Sequence, residues 1–486
     1  MTQISAVPDS ALMIVGGEEV PAAGGDWLET RDPATGEMLA RVPRGTSEDV
    51  DAAVRTARAA QPAWGARPAG ERGRLLLAIA DRIAAEAKEL TRLETLDVGK
   101  PLREARVDVG HAERLFRFYG EVADKLPTEK LTVEGGFAFT DRLPHGVTGH
   151  ITPWNYPIQL FARTIAPALA AGNACVLKPA EDTPLTSMRA AQIALEAGLP
   201  AGVLNVVTGL GAEAGAALAD HADVDHLSFT GSRATGERVM AASARQMRPV
   251  MLELGGKSPS IVLGDVDVDA LVPTLRSAIL WNAGQTCDAQ SRILVDRAVH
   301  ADLVEALAAD FGTVTVGAGL EDHDVGPLVS ELQHARVSAH VDAARHAGGA
   351  RLVVGGGRPD GLDQGWFFEP TIFDVTDPSR PIATEEIFGP VLSIVPFRDE
   401  DEALRIANGV RYDLAAAVWT KDIDRAFRLA SQVRAGQVHI NSWGIGSGVE
   451  LSFGGIRESG FGREKGLRAL DQYSALRTTT VRVAAA

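Results

Sequence analysis

Alternation of short apolar segments with helical patterns between residues 146 and 250 constrains the fold more than any other feature of the sequence. The segments are predicted as strands at 146–151, 174–178, 203–207 and 226–229, with helices at 158–170 and 185–197. Parallel strands need a crossover connection, usually a helix, so helices cover both faces of such a sheet. A second alternating block runs from about residue 255 to 441. The sequence therefore predicts an α/β fold with parallel sheets.

The regions outside these blocks predict smaller elements. Helical patterns occupy residues 47–97 and 101–122, and Ser47 is the candidate N-cap of the first. Strands are predicted at 128–143 and, because the tail is β-branched and alternating, at 473–483.

Length and composition restrict the class of protein. A chain of 486 residues predicts two or three structural units, and 45% hydrophobic with 23% charged residues is typical of a soluble globular protein. A formal charge of −16 argues against binding to nucleic acid or anionic membranes. Two cysteines cannot build a disulfide framework, residues 1–10 lack a signal-peptide pattern, and no apolar stretch is long enough to span a membrane. We expect a cytoplasmic protein.

Cys287 is a candidate nucleophile. It lies among small and polar residues, after an apolar, helix-like segment at 271–281 and before a strand-like segment at 293–295. Gly284 would let the backbone approach closely. The alternative is that Cys287 is a small buried apolar residue, as most free cysteines are. The other cysteine, Cys175, lies on a predicted core strand, and we expect it to serve packing.

A strand-to-helix turn at residues 229–236 is a candidate phosphate site. Free N–H groups at the start of a helix can bind phosphate, although the glycines Gly231 and Gly236 do not form the G-x-G-x-x-G fingerprint. An ordinary turn is the alternative. Lys178 and Glu181 end an earlier strand at the edge where open α/β sheets bind ligands. Alternatively, Lys178 is a solvated surface charge and Glu181 is an acid at the start of a helix.

Two further polar residues are candidates for chemistry. Glu253 lies among apolar residues and glycines, where burial would raise its pKa and suit it as a general base; a buried ion pair is the alternative. Asn155 lies between Pro153 and Pro157, so its side-chain amide could be held rigidly as a donor to an oxyanion. Its alternative role is to cap the following helix.

Taken together, these segments resemble the aldehyde dehydrogenase superfamily from about residue 12 to 483. Seven motifs occur in the family's order: five at 153–157, 252–258, 284–287, 385–391 and 453–460, together with the lysine segment and the glycine turn described above. The resemblance implies that Cys287 attacks an aldehyde and Asn155 with the Cys287 backbone N–H holds the oxyanion. It also implies that hydride passes to NAD and that Glu253 activates water to hydrolyse the thioester. Acylating members typically lack this glutamate.

The resemblance also implies binding residues. Those expected to hold NAD, which the glutamate at 181 favours over NADP, are Ile151, Thr152, Pro153, Trp154, Lys178, Glu181, Gly211, Gly215, Phe229, Gly231, Ser232, Glu386 and Phe388. Those expected to line the substrate tunnel are Tyr156, Arg163, Trp281 and Phe453. No metal site is expected.

The architecture implied by the resemblance has two parallel-sheet α/β domains and a small β bridging element. Residues 1–123 and 144–254 would form the NAD-binding domain, 255–452 the catalytic domain, and 124–143 with 453–486 the bridging element. An exposed strand needs a partner edge, so a homodimer or homotetramer is expected.

Arg163 bears on the substrate class. In the family this position lines the tunnel, and an arginine there occurs both in succinate-semialdehyde dehydrogenases and in salicylaldehyde-type aromatic aldehyde dehydrogenases. Arginine can pair with a carboxylate or lie against an aromatic ring. The semialdehyde enzymes usually carry a second arginine where this sequence has Trp281. The departure favours an aromatic substrate over a semialdehyde, while a structural ion pair of Arg163 is a third interpretation.

A different class of protein would use the fold without chemistry, as a binding or structural member. Such a member is expected to have lost Cys287, Glu253 or Asn155, and all three are present. The sequence therefore favours the enzyme.

Overall fold

Strands and helices alternate through residues 10–444 and 448–483, which the computed structural model describes. The strands are β1 (Met13–Val15), β2 (Glu18–Val20), β3 (Trp27–Arg31), β4 (Met38–Pro43), β5 (Lys130–Val133), β6 (Gly136–Pro144), β7 (Val147–Ile151), β8 (Ala174–Lys178), β9 (Leu204–Val206), β10 (His226–Thr230), β11 (Val250–Glu253), β12 (Pro259–Val262), β13 (Arg292–Asp296), β14 (Ala350–Val354), β15 (Thr371–Val375), β16 (Val391–Phe397), β17 (Tyr412–Asp413), β18 (Ala415–Trp419), β19 (Gln437–Ile440), β20 (Ile456–Arg457), β21 (Gly460–Phe461) and β22 (Ser474–Arg482).

The α-helices connect these strands and cover the sheets. They are α1 (Ser47–Gly65), α2 (Ala69–Ala85), α3 (Ala87–Val98), α4 (Leu102–Val122), α5 (Pro157–Ala170), α6 (Leu185–Glu196), α7 (Ala216–Asp220), α8 (Arg233–Arg245), α9 (Val268–Leu280), α10 (His300–Phe311), α11 (Glu331–His346), α12 (Pro381–Thr384), α13 (Glu400–Ala407), α14 (Ile423–Ala430) and α15 (Arg468–Gln472).

The first sheet has the order β2-β1-β9-β8-β7-β10-β11-β21. Its five central strands, β9 to β11 in that order, are parallel, whereas β1 and β21 pair antiparallel at the two sides. Helices cover both faces and bury two apolar clusters, one of which contains α5 and the other the inner side of α1. The predicted parallel sheet with two covered faces is confirmed.

The second sheet has the order β14-β15-β16-β13-β12-β18-β19, and all its neighbours are parallel except β14 with β15. A separate core fills this half of the molecule, and Ile261, Leu294 and Ile394 on its central strands are fully buried. Side chains this apolar on both faces are what parallel sheets require.

The remaining pairings divide the expected bridging element. β22 pairs along its whole length with β6, and β6 pairs with β5. In contrast, β20 pairs with β17, and β21 joins the edge of the first sheet. Within the segment 453–461, β21 therefore belongs to the first sheet, and β20 forms a separate two-stranded sheet with β17. The expected homodimer or homotetramer stays a prediction; β5 and β22 are the exposed edges that could receive a partner.

Local capping corrects one prediction. The N-cap of α1 is Thr46, not Ser47, because the backbone N–H of Thr46 donates to the Asp49 carboxylate at 2.8 Å. A reciprocal cap requires an acid three residues after the cap, and Asp49 has that spacing from Thr46. The nine N-terminal residues considered for a signal peptide lie outside the described part of the chain.

Within the described ranges, none of the helices combines the length and apolar character needed to cross a membrane.

Candidate active site

Four strands of the first sheet end at or next to residues predicted to bind the cofactor or to act in catalysis. β7 ends at Ile151, β8 at Lys178, β10 at Thr230 and β11 at Glu253. The register places Ile151 opposite Lys178 and Phe229, and Thr230 opposite Glu253, so these parallel strands end at one edge. Ligands of open α/β sheets bind outside the carboxyl ends of the strands. The edge therefore brings the predicted cofactor residues and Glu253 together.

A cavity of about 1320 Å³ opens at this edge, and residues of the second sheet's half form its other wall. Predicted residues that line it are Pro153, Trp154, Asn155, Tyr156, Arg163, Gly231, Ser232, Glu253, Trp281, Cys287, Glu386, Phe388 and Phe453. Ile151, Thr152, Lys178, Glu181, Gly211, Gly215 and Phe229 do not line this cavity and lie at or behind the strand ends. All three predicted catalytic side chains therefore share one cavity.

A left-handed turn presents Cys287. Helix α9 ends at Leu280, and Asn282 and Ala283 follow with φ of 52° and 53°. Non-glycine residues rarely adopt this conformation, which costs roughly 1–3 kcal/mol per residue unless the surroundings hold it. The Glu104 carboxylate accepts a 2.7 Å hydrogen bond from the Asn282 backbone N–H and so supports the turn.

Two glycines are required by close backbone approach beside the nucleophile. A Cβ at Gly256 would lie 2.4 Å from the carbonyl oxygen of Cys287. A Cβ at Gly284, whose φ is 73°, would lie 2.1 Å from the carbonyl oxygen of Gly389. The motif at 284–287 is therefore in contact with the motif at 252–258 through Gly256 and with the motif at 385–391 through Gly284.

The side chain of Asn155 is held as an oxyanion donor would need to be. It is buried, and its Nδ2 donates to the carbonyl oxygen of Gln285 at 2.8 Å. An amide nitrogen carries two hydrogens, so the second is free for a ligand oxygen. In the described residues the backbone N–H of Cys287 also has no protein acceptor. Asn155 does not cap α5, whose N-cap is Tyr156.

Lys100 fixes the backbone of Asn155. Its fully buried ammonium donates to the carbonyl oxygen of Asn155 at 2.7 Å and to Asp108 at 2.5 Å, and it lies 4.0 Å from the ring centroid of Tyr156. Asn282 Nδ2 donates to the same carbonyl oxygen at 2.9 Å. No role was predicted for Lys100, because it lies between Gly99 and Pro101 in a segment whose sequence resembles a helix break.

Burial controls the acid–base character of the site. It raises the pKa of Glu253 well above its usual range, although Arg163 opposes the shift. Burial, with Asp288 and Glu253, likewise raises the pKa of the Cys287 thiol well above its usual range. Glu253 is thus a stronger base than an exposed glutamate, and little of Cys287 is thiolate at neutral pH in the absence of cofactor.

Three predicted cofactor residues that do not line the cavity, Lys178, Glu181 and Gly211, are joined by hydrogen bonds. Lys178 Nζ donates to Glu181 at 2.6 Å, and the other carboxylate oxygen accepts from the Gly211 backbone N–H at 3.2 Å. Ser232 caps α8, with its hydroxyl accepting from Thr235 N at 3.4 Å. The turn therefore opens a helix, as predicted, and Lys178 is buried instead of solvated.

Arg163 lines the cavity and also forms an ion pair that the sequence left open. Its guanidinium pairs with the buried carboxylate of Glu464 and lies 4.1 Å from the ring centroid of Phe453. Its Nη2 has no hydrogen-bond partner among the described residues. Glu464 was missed by the sequence analysis because it lies in the charged segment 463–465, which is usually a solvated surface.

In the described ranges, no group of three or more histidine, cysteine, aspartate or glutamate side chains is arranged to hold a metal ion.

Comparison with known proteins identifies the family. A sequence model of the aldehyde dehydrogenase family matches residues 20–479. The chain belongs to the aldehyde dehydrogenase family. It is 42% identical over 472 residues to a betaine aldehyde dehydrogenase of Rhizobium etli, and the alignment covers 96% of each chain.

Two further aldehyde dehydrogenases give the same result. The chain is 42% identical over 461 residues to a mitochondrial aldehyde dehydrogenase of Equus caballus, covering 93% of this chain and 91% of that one. Among solved structures, the NAD+ complex of an aldehyde dehydrogenase from Bacillus cereus is 39% identical, with a TM-score of 0.96 over 98% of each chain. The predicted family, fold and oxidoreductase class are confirmed.

The raised pKa of the Cys287 thiol gives a prediction for this aldehyde dehydrogenase, tested on the enzyme free of cofactor. Alkylation of Cys287 by iodoacetamide should still accelerate as the pH rises through 9, because thiolate is scarce below that pH. Cys175 should stay unlabelled, because it is fully buried and burial raises its pKa to about 12. Labelling is followed by peptide mass spectrometry, with Cys287→Ala as the control. A rate that levels off below pH 8 would contradict the assigned environment.

Proposed function

We propose that this aldehyde dehydrogenase oxidises an aldehyde to the carboxylic acid with NAD as cofactor, through a thioester on Cys287. The observation that carries the proposal is that Cys287, the Asn155 amide and Glu253 line one cavity at the carboxyl edge of the first sheet. A nucleophile, an oxyanion donor and a buried base are the groups that acyl chemistry at a thiol requires.

In the first step, the Cys287 thiol gives its proton to water, and the thiolate sulfur bonds to the aldehyde carbon. The carbonyl oxygen gains negative charge, and the free hydrogen of Asn155 Nδ2 and the Cys287 backbone N–H stabilise it. When NAD is bound, its nicotinamide ring supplies the acceptor for the hydride that leaves this carbon. The residue left on Cys287 is a thioester.

In the second step, Glu253 accepts a proton from water, and the resulting oxygen nucleophile attacks the thioester carbon. The carbon–sulfur bond breaks, the proton on Glu253 passes to the Cys287 sulfur, and the carboxylic acid is released. Because burial makes Glu253 a stronger base than usual, its environment supports this role.

Residues at the carboxyl ends of the strands are placed where they could bind a dinucleotide. Thr230, Gly231 and Ser232 line the cavity where α8 begins, and a Cβ at Gly231 would lie 2.7 Å from the Phe229 ring. Glu386 reaches the same area and accepts from the Gly256 backbone N–H at 3.0 Å. These residues would hold the nicotinamide end, while Lys178 and Glu181 would hold the adenosine end.

The catalytic pair gives a direct prediction. Cys287→Ala should reduce NADH formation to background, because no acyl acceptor remains. Glu253→Gln should leave an early burst of NADH and slow the following steady state by about 10²–10⁴-fold, the usual contribution of a positioned base. Stopped-flow absorbance measures both phases. An active Cys287→Ala enzyme would disprove the mechanism, whereas an unaffected Glu253→Gln enzyme would disprove only the base.

The preference for NAD over NADP is assigned to Glu181. Burial opposes its ionisation, but Lys178 keeps the pKa of Glu181 below the usual value, so the side chain is a carboxylate at neutral pH. A carboxylate accepts hydrogen bonds from a ribose 2′-hydroxyl and repels a 2′-phosphate.

Cofactor titrations test this assignment. The wild type should use NAD at least tenfold more efficiently than NADP, and Glu181→Ser should narrow that ratio mainly through the KM for NADP. Asp182→Asn, which changes the neighbouring carboxylate, serves as the control. Equal efficiency of the wild type with both cofactors, or a preference for NADP, would contradict the assignment.

We infer that the substrate is an aromatic aldehyde. Tyr156, Trp281 and Phe453 supply aromatic cavity walls, and Arg163 lies over one of these rings with its charge neutralised by Glu464. A positively charged substrate such as betaine aldehyde would face Arg163 and Lys465. The alternative is a semialdehyde, because Arg163 Nη2 is left free to bind a carboxylate.

A substrate panel separates the two classes. Benzaldehyde should have a higher kcat/KM than succinic semialdehyde or betaine aldehyde. Arg163→Met should reduce the kcat/KM for benzaldehyde by at least about threefold, because the contact of the guanidinium with the Phe453 ring of the cavity wall is lost. Arg55→Met, an exposed arginine on α1, is the control, and thermal melting checks that each variant is folded. Loss confined to the semialdehyde would favour the alternative, and an equal small change for all three substrates would leave Arg163 as a structural residue.

A further inference from the structure

Lys465 is a cation that lines the catalytic cavity without an ion-pair partner. Its neighbour Glu464 pairs with Arg163, whereas Lys465 itself forms no ion pair with any carboxylate in the described residues. Its ammonium lies 5.3 Å from the ring centroid of Phe453, and both residues line the cavity that also contains Cys287. A half-buried ammonium with no hydrogen-bond or ion-pair partner among the described residues has hydrogen-bonding capacity left for a ligand.

The backbone gives a second, independent observation. Lys465 has a φ of 56°, a conformation that glycine adopts without cost and lysine does not. Two 2.7 Å backbone hydrogen bonds between Glu464 and Phe453 hold the preceding residue in place. The chain therefore keeps a strained lysine at a position where a glycine would fold more easily.

The surrounding charges leave Lys465 positive at neutral pH. Burial and the nearby Arg163 lower the pKa of Lys465 to about 8, while Asp288, Glu464 and Cys287 oppose that shift. Asp288 lines the same cavity and forms no ion pair with Lys465 among the described residues. Negative groups nearby therefore stabilise the charge of Lys465, but none of the described carboxylates forms an ion pair with its ammonium.

From this placement we propose that Lys465 binds an acidic oxygen, a phenolate or a carboxylate, carried by the substrate at a distance from its aldehyde group. The inference rests on the proposed oxidation of aromatic aldehydes and names the substituent that the cavity selects. The ring of such a substrate would lie against the aromatic walls, and the ammonium of Lys465 would donate to the oxygen.

Matched aldehydes test the contact. The wild type should oxidise 4-hydroxybenzaldehyde or 4-carboxybenzaldehyde with a kcat/KM above that of benzaldehyde, and the better of the two identifies the oxygen. Lys465→Met should lower that value by about 10–100-fold, the range for one charge-assisted hydrogen bond, while benzaldehyde changes less than twofold. Lys465→Arg should recover most of the loss. Lys421→Met, an exposed lysine, is the matched control.

Binding of unreactive ketones separates this contact from turnover. The enzyme should bind 4-acetylbenzoate or 4-hydroxyacetophenone more tightly than acetophenone, and Lys465→Met should remove the difference, as measured by calorimetry. If benzaldehyde is not oxidised but this difference holds, only the proposed function fails. If benzaldehyde is oxidised and Lys465→Met affects all substrates and ketones equally, or none, Lys465 merely balances Asp288 and the inference is wrong.

Discussion

The buried ammonium of Lys100 connects the segments that carry the catalytic groups. It binds Asp108 on α4 and the backbone of Asn155 before α5, and Asn282 from the cysteine loop shares the same carbonyl oxygen. Removing one partner from a buried ion pair typically costs about 3–5 kcal/mol, because the remaining charge is left uncompensated. The position of Asn155 relative to Cys287 therefore depends on a buried charge that does not line the cavity.

Desolvation is the common cause behind the chemistry of the cavity. Burial makes Glu253 a stronger base and Cys287 a weaker acid, and it strengthens the ion pair of Arg163 with Glu464. The glycines at 256 and 284 permit this crowding, because a side chain at either position would collide with backbone atoms. The cavity thus combines close backbone packing with a small number of paired and unpaired charges.

The sequence predicted what is encoded locally. Strand and helix alternation, the helix opened by Ser232, and the candidate residues Cys287, Glu253 and Asn155 were all recognised from contiguous sequence patterns. Lys100, Glu464 and Lys465 were not, because their roles arise from contacts with residues far away in the chain, and their local surroundings resemble a helix break and a solvated charged segment. The predicted N-cap of α1 was wrong by one residue. Thr46 and not Ser47 lies three residues before Asp49, the spacing that a reciprocal cap requires.

Detection of an acyl group on Cys287 tests the thioester mechanism most directly. The Glu253→Gln enzyme is mixed with NAD and an oxidisable aldehyde, quenched in acid and digested, and the peptide containing Cys287 is examined by mass spectrometry. The thioester mechanism predicts that this peptide carries the acyl group of the substrate and that the peptide containing Cys175 does not. Rapid NADH formation with an unmodified Cys287 peptide at every quench time would contradict it.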